Sequence, residues 1–465
     1  MADIEHVVVL MLENRSFDSM LGRLYEDRAD FNGIPKNAIN TWHDKPYPAW
    51  TSPMPLSTDS ARIPTPDPNE LFPDMTEQIF GVGKPRRAPG AMGGFVANYA
   101  KTTTHRPGDV MHGFTPEQLP VLSTLAKSFG VCDDWYASAP CQTWPNRFFL
   151  HTGTAGGYVN NEPYHFPYTM NTVFNLLADA NRTWGIYYHD IPQAATLSRI
   201  WLDLPTHLHR YDDFVADARA GKLPNYSFIE PQYFSEPLSR AMPNDQHPPH
   251  DVRYGERLIA RTYDALRSGP GWKKTLFVIL YDEHGGIYDH QPPPRATPPG
   301  QPYPDKFKFD RYGVRVPAVI VSPWIPEETV VRPPKESKFP YDHASVSKTL
   351  REIFGIDGEP LSQREKSAPH FLGALSLPEP TNDGPFHIPF PSISPSDAEL
   401  NAAHRAPPNG HQLALANLAA NLPEGVANLD EKGIADAVKS TVKVTSDSVE
   451  DALKQVEEGL ARFLG

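Results

Sequence analysis

The chain has 465 residues, 39% hydrophobic and 11% aromatic, enough apolar material for a sizeable core, which excludes general disorder. A formal net charge of -13 argues against a nucleic-acid-binding surface, which needs clustered Lys and Arg. No apolar run approaches the roughly 18 residues of a membrane span.

The first apolar run, His6–Leu12 (HVVVLML), reads as a buried strand. Residues 1–6 lack a basic segment and the run is too short for a signal peptide, so the expectation is a chain that is cytoplasmic, exported by another route or already trimmed. Further strands are expected at Trp184–Tyr188, Tyr226–Ile229, Thr275–Leu280 and Val316–Val321. Each is continuously apolar, which suits a sheet covered on both faces. Helices are expected between them. One follows a capping box at Thr115–Gln118 and stops at Gly130; the others cover Asp251–Ser268 and Ala344–Phe354, the last closed by Gly355. Alternating strands and helices imply a mostly parallel sheet with helices on both faces.

The 51 prolines are about twice the usual share. They cluster at 46–73, 292–304, 323–340 and 378–395. Trp42, Tyr47, Trp50 and Phe72 around the first cluster suggest an ordered excursion packed over the core. From about residue 396 the chain loses nearly all its aromatics, so two units are expected, 1–395 and a helical extension 396–465. Asp447 or Ser448 caps a last helix whose stripe is Val449, Ala452, Leu453, Val456, Leu460, Phe463 and Leu464. That stripe would dock on the domain or on a second subunit as a homo-oligomer contact.

Several strands are followed by polar residues of the kind that bind ligands: Glu13-Asn14, His189-Asp190, Glu230 and Asp282-Glu283. Open α/β sheets bind ligands beyond the carboxyl ends of their strands. The chain has no H-E-x-x-H, G-x-S-x-G, Walker A or C-x-x-C motif, so zincin, serine esterase, P-loop and zinc-finger readings fall away. Cys132 and Cys141 are too few for a disulfide framework; they could form one bridge or none, with two reduced thiols the simpler reading.

In Thr143-Trp144-Pro145-Asn146-Arg147, Pro145 suits the first turn of a helix. Thr143 would then lie at a helix N-terminus, where amides and the dipole favour anions. On this segment alone an N-cap is the simpler role for it. A hydroxyl nucleophile needs activation, which a metal can supply. Glu13, Asn14, Asp282 and Glu283 offer hard oxygen ligands, with His247, His250, His112, His189 and His343 as further candidates.

Glu13-Asn14-Arg15-Ser16-Phe17-Asp18 resembles the E-N-R-S-F-D signature of the bacterial phosphoesterase family. That family holds phosphatidylcholine-type phospholipases C, AcpA-type acid phosphatases and plant non-specific phospholipases C, within the alkaline phosphatase superfamily. Thr-x-Pro-Asn-Arg at 143–147, Asn-Asp-x-His-Pro at 244–248, the Asp-Glu segment at 282–286 and His343-Ala344-Ser345 follow in family order. The resemblance implies an alkaline-phosphatase-like α/β/α sandwich. It makes Glu13, Asn14, Asp282 and Glu283 metal ligands, and Thr143 both a ligand and a nucleophile that forms a phosphothreonine. His247, with His189 and Asp190, would face the phosphoryl group or the leaving oxygen. Asn14, Asn146, His112, His343 and Trp144 are the candidate substrate-binding residues. The frame Thr-x-Pro-x-Arg is similar to the Cys-x-Pro-x-Arg of sulfatases, but threonine cannot become formylglycine, which excludes that chemistry.

The resulting expectation is a phosphoesterase using one or more divalent ions (calcium, zinc, manganese or iron), acting on a phosphate ester. The first choice is a phospholipase C on phosphatidylcholine-type lipids, approached through Trp135, Tyr136, Trp144, Phe148 and Phe149. A soluble acid phosphatase is the alternative, and a non-catalytic ligand-binding homologue comes third.

Overall fold

Strand β1 (His6–Leu12) lies inside an eight-stranded sheet of order β10-β4-β9-β8-β1-β7-β5-β6. The other members are β4 (Gly130–Cys132), β5 (Trp184–Tyr188), β6 (Leu208–Arg210), β7 (Tyr226–Ile229), β8 (Thr275–Tyr281), β9 (Ala318–Val321) and β10 (Thr329–Val330). Strands β2 (Ile39–Trp42) and β3 (Lys45–Pro48) form a separate hairpin. The computed structural model describes residues 2–84, 90–429 and 441–465. Strand β1 runs parallel to β7 and β8, and β5 parallel to β6 and β7; β9 alone turns against its neighbours β8 and β4. Every residue of β5, β7, β8 and β9 is buried, as a sheet covered on both faces requires.

All five strands expected from apolar runs are present, with shifts of one residue at Tyr281 and two at Ala318. Strands β4, β6 and β10 are two or three residues long, too short to leave a periodic signal. Helices Val252–Ser268 and Ala344–Phe354 stand where expected. Asp251 caps the former by accepting from the Arg253 N–H. The helix expected from Thr115 starts instead at Pro120. Gln118 caps the Thr115 N–H as a capping box would (2.9 Å), but Pro120 is restricted to the first helical turn and pushes Leu119 out of helical geometry.

The proline-rich excursion packs as expected. Trp42, Tyr47 and Trp50 lie on a second apolar cluster built around Phe95, Tyr99 and Tyr288. The tail forms helices Asp397–Arg405, Gly410–Asn421 and Val449–Leu464, the last capped by Ser448. Its stripe from Val449 to Phe463 joins the main core of this same chain, with Phe463 edge-on to Trp201 at 6.0 Å. The apolar face offered from the sequence as a subunit contact is therefore spent within the chain. Cys132 and Cys141 are both buried free thiols. Among the described residues no helix is long and apolar enough to cross a membrane.

Candidate active site

Sheet register builds the first half of the site. Leu12 pairs with Tyr281 across the parallel β1–β8 ladder, so Glu13-Asn14 and Asp282-Glu283 leave the sheet together at neighbouring carboxyl ends. The Asn14 N–H and the Glu283 N–H both donate to Asp282 Oδ1, at 2.8 and 2.7 Å. The Gly285 N–H donates to Glu283 Oε2 at 2.7 Å. Asp282 Oδ2 and Glu283 Oε1 are left buried with no hydrogen-bond partner.

The turn that makes this possible is tight. Asn14 has φ 51 and Gly285 has φ 60, and a Cβ on Gly285 would sit 2.3 Å from Asn14 O. Neither backbone atom can yield without moving the other strand end. Gly285→Ala is expected to cost roughly 1–3 kcal/mol in backbone strain alone and to displace Asn14. Thermal melts and turnover of that variant check it; a wild-type melting temperature would contradict the turn as described.

Helix Thr143–Thr152 supplies the second half. Gln142 is its N-cap residue, so Thr143 is the first helical residue and its hydroxyl is not a cap. Thr143 Oγ1 lies 3.3 Å from Glu13 Oε2 and 3.5 Å from Asn14 Oδ1. Asn146 folds the preceding turn, accepting from the Ala139 N–H and donating to the carbonyls of Ala139, Cys141 and Gln142. Arg147 reaches behind Thr143 to Glu13 Oε1 (2.5 Å), Met11 O (3.0 Å) and Glu230 Oε2 (3.4 Å). Gln193 adds a donor to Glu13 Oε1 and another to Tyr233. The first turn is not the amide cradle the motif suggests. Pro145 has no N–H, and the Trp144 N–H is taken by Asn161 Oδ1 at 2.9 Å.

Three further residues enter from elsewhere. Glu70, carried by the proline-rich excursion, accepts a short hydrogen bond from Asn14 Nδ2, with Asp67 nearby. His247 is fully buried, its Nδ1 bonded to Pro248 O at 2.6 Å. His411, from the tail, is buried with both ring nitrogens unpartnered, its Nε2 3.8 Å from Glu13 Oε1 and its ring stacked on His247 at 5.8 Å. Sequence reading passed over Asp67, Glu70, Arg147 and His411. Arg147 alone left a signal, the fixed spacing from Thr143.

The electrostatics follow from crowding. Burial opposes ionisation of Glu13, but Arg147, with smaller help from His411, brings its carboxyl well below the usual range. Burial and then the Glu13 charge push Asp282 up. Burial raises Glu283 to about 8, and burial with the Glu283 charge raises Glu70. Burial, then His250, lowers His247 to about 4, so the ring is neutral near pH 7. Its Nδ1 must donate to the Pro248 carbonyl, which leaves Nε2 a lone pair rather than an acid. The buried oxygens of Glu13, Asn14, Thr143, Asp282 and Glu283 are hard donors, the type that divalent cations such as calcium and magnesium prefer.

Other expected site residues fall outside this cluster. His189 bonds Glu230 O at 2.9 Å and stacks on Tyr211, while Asp190 accepts from the N–H groups of Ile191, Tyr233 and Phe234. They follow β5, which is separated from β1 by β7, so they leave the sheet one strand too far out and support the Tyr233 loop instead. His112 binds Ser52 and packs against Trp50 and Phe114, tying down the excursion. His343 bonds Asp282 O at 2.6 Å and accepts from the Trp135 indole, propping the β8 end from behind. Trp144 is buried against Tyr168. Trp135, Tyr136, Phe148 and Phe149 are likewise buried at 0–2% exposure, so they form core and not an apolar approach.

Non-specific phospholipase C6 of Arabidopsis thaliana is 39% identical over 400 residues, covering 83% of this chain and 75% of its own. Non-specific phospholipase C3 of the same plant is 35% identical over 480 residues, 99% of this chain and 89% of its own, so the likeness runs through the tail. Phospholipase C A of Mycobacterium tuberculosis (strain CDC 1551 / Oshkosh) is 28% identical over 481 residues, 85% and 88% of the two chains. A solved protein of the alkaline phosphatase superfamily from Vibrio parahaemolyticus aligns over 54% of this chain and 64% of its own, at 11% identity and a TM-score of 0.32, too distant to argue from. The Phosphoesterase family matches residues 4–357. With that match spanning all eight strands of the sheet and the whole carboxylate row from Glu13 to Glu283, the chain belongs to the Phosphoesterase family.

Proposed function

We propose that this chain is a metal-dependent phosphoesterase of the phospholipase C type. The observation that carries it is the Thr143 hydroxyl held 3.3 and 3.5 Å from Glu13 and Asn14 at the mouth of the sheet. The donor set fits a metal, because Asp282 Oδ2 and Glu283 Oε1 are buried acceptors with no donor facing them. Glu13, Asn14, Thr143, Asp282 and Glu283 would hold a divalent ion. Such an ion supplies positive charge that eases ionisation of the hydroxyl and neutralises phosphoryl oxygens.

The chain's own residues do the rest. Thr143 Oγ1 attacks phosphorus in line, the ester P–O bond breaks, and the alcohol leaves with a proton. Water then hydrolyses the phosphothreonine, releasing the phosphorylated headgroup and restoring the hydroxyl. Arg147 and Gln193 fix Glu13, while His343 and Gly285 fix the Asp282-Glu283 end. His247 faces the site with its Nε2 lone pair bare. We read residues 1–395 as the catalytic unit and 396–465 as an extension that completes it through His411.

A lipid substrate is favoured over a simple monoester by the relatives' names and by a cavity beside His250. That cavity, of about 470 Å³, is lined by Met242, Pro249, Tyr254, Ala402, Ala406 and Val449 among others. Phosphatidylcholine is expected to be turned over in preference to phosphocholine and p-nitrophenyl phosphate, and a chelator should abolish all three activities. Preference for p-nitrophenyl phosphate would make the chain a phosphomonoesterase. Undiminished turnover by metal-free protein would remove the ion from the account.

A further inference from the structure

We propose that Asp67, Glu70 and His247 form a second divalent-cation site beside the first, so that the active site is binuclear. This rests on the metal-dependent reading above. One ligand atom from each of the three lies within 4.8 Å of the others. His247 Nε2 stands 3.9 Å from Glu70 Oε2. His247 is 0% exposed and its Nε2 has no hydrogen-bond partner. Because Nδ1 donates to a backbone carbonyl, the ring is locked in the tautomer whose Nε2 is bare. That is how metal-binding histidines are oriented, with the far nitrogen tied to a carbonyl or carboxylate. Asp67 Oδ1 is also buried without a hydrogen-bond partner.

The two sites share a wall. The Asn14 amide turns its oxygen to Thr143 and its nitrogen to Glu70. Apart from Glu13, the carboxylates around the two sites find no side-chain cation among the described residues. Arg147 pairs with Glu13 and Glu230. Among the described residues no Arg or Lys pairs with Asp67, Glu70, Asp282 or Glu283; the ion-pair contacts of Asp67, Glu70 and Glu283 run to His247 and His284. Buried carboxylates without side-chain cations suit cation binding, and a pair of ions is suited to hold both the attacking and the leaving oxygen of an in-line displacement. The proline-rich excursion is then part of the catalytic machinery rather than a surface wrap.

The full chain, stripped by chelator and titrated with Mn²⁺, is desalted and its bound metal counted per chain, with the EPR spectrum recorded. The proposal expects two ions and an exchange-coupled spectrum in the wild type. It expects one ion and an uncoupled spectrum in Asp67→Asn and in His247→Gln. The wild-type count stands whether or not either variant folds. One ion per wild-type chain overturns the second site and spares the first, whereas no bound ion sinks the metal-dependent reading itself. Two ions retained in both variants would place the second ion elsewhere and overturn this assignment.

Discussion

Thr143→Ala is expected to lose turnover by on the order of 10³-fold or more while remaining folded. The hydroxyl is the nucleophile in the proposed mechanism. The structural cost is small by comparison. Thr143 is fully buried, but its hydroxyl contacts at 3.3 and 3.5 Å are long, and a typical hydrogen bond contributes only about 0.5–1.5 kcal/mol. Thr143→Ser keeps an oxygen on the same carbon and should recover much of the rate. A single-turnover assay with radiolabelled substrate should trap phosphate on the wild-type chain and none on Thr143→Ala. An alanine variant working at wild-type rate would remove Thr143 from the chemistry.

Arg147→Met is expected to destabilise the fold by about 3–5 kcal/mol, the usual cost of removing one partner from a buried ion pair. Against a total stability of roughly 5–15 kcal/mol that is a large fraction. Methionine fills part of the volume but leaves Glu13 and Glu230 as buried carboxylates without their cation, and it frees the Met11 carbonyl. Arg147→Lys should rescue only in part, because one ammonium cannot reproduce a planar fork that reaches three acceptors. The effect also has a pH signature. Arg147 depresses Glu13 below its ordinary value of 4.5, so the stabilisation is complete above that pH and is lost as pH falls through the folded-state value. Without Arg147, burial raises Glu13 instead, and the variant should lose less stability than the wild type on acidification from neutral pH. Denaturant melts across pH 3–7 on the order of one unit apart would show it; equal slopes in both proteins would contradict the pairing.

The sheet was largely legible because its strands are continuous apolar runs. His6–Leu12 and Thr275–Leu280 announce themselves in composition, and Glu13-Asn14 and Asp282-Glu283 stand at their ends. Where short-range pattern competed with backbone constraint, the constraint prevailed, as at Pro120. His189-Asp190 shows the limit of reading strand ends in isolation. The motif is the right kind, but strand order, which no local pattern encodes, sets β5 two places from β1.

By itself the sequence determined the family, the strands that carry the carboxylates, and the threonine at a helix start. It did so because those features are local: a run, a spacing, a proline in the first helical turn. Tertiary structure alone decided which residues share the pocket. The β1–β8 register set Glu13 beside Asp282, the proline-rich excursion brought Glu70 to Asn14, and tail packing placed His411 3.8 Å from Glu13. Each of those contacts joins segments far apart in the chain, and only the burial of their apolar faces in one core brings them together.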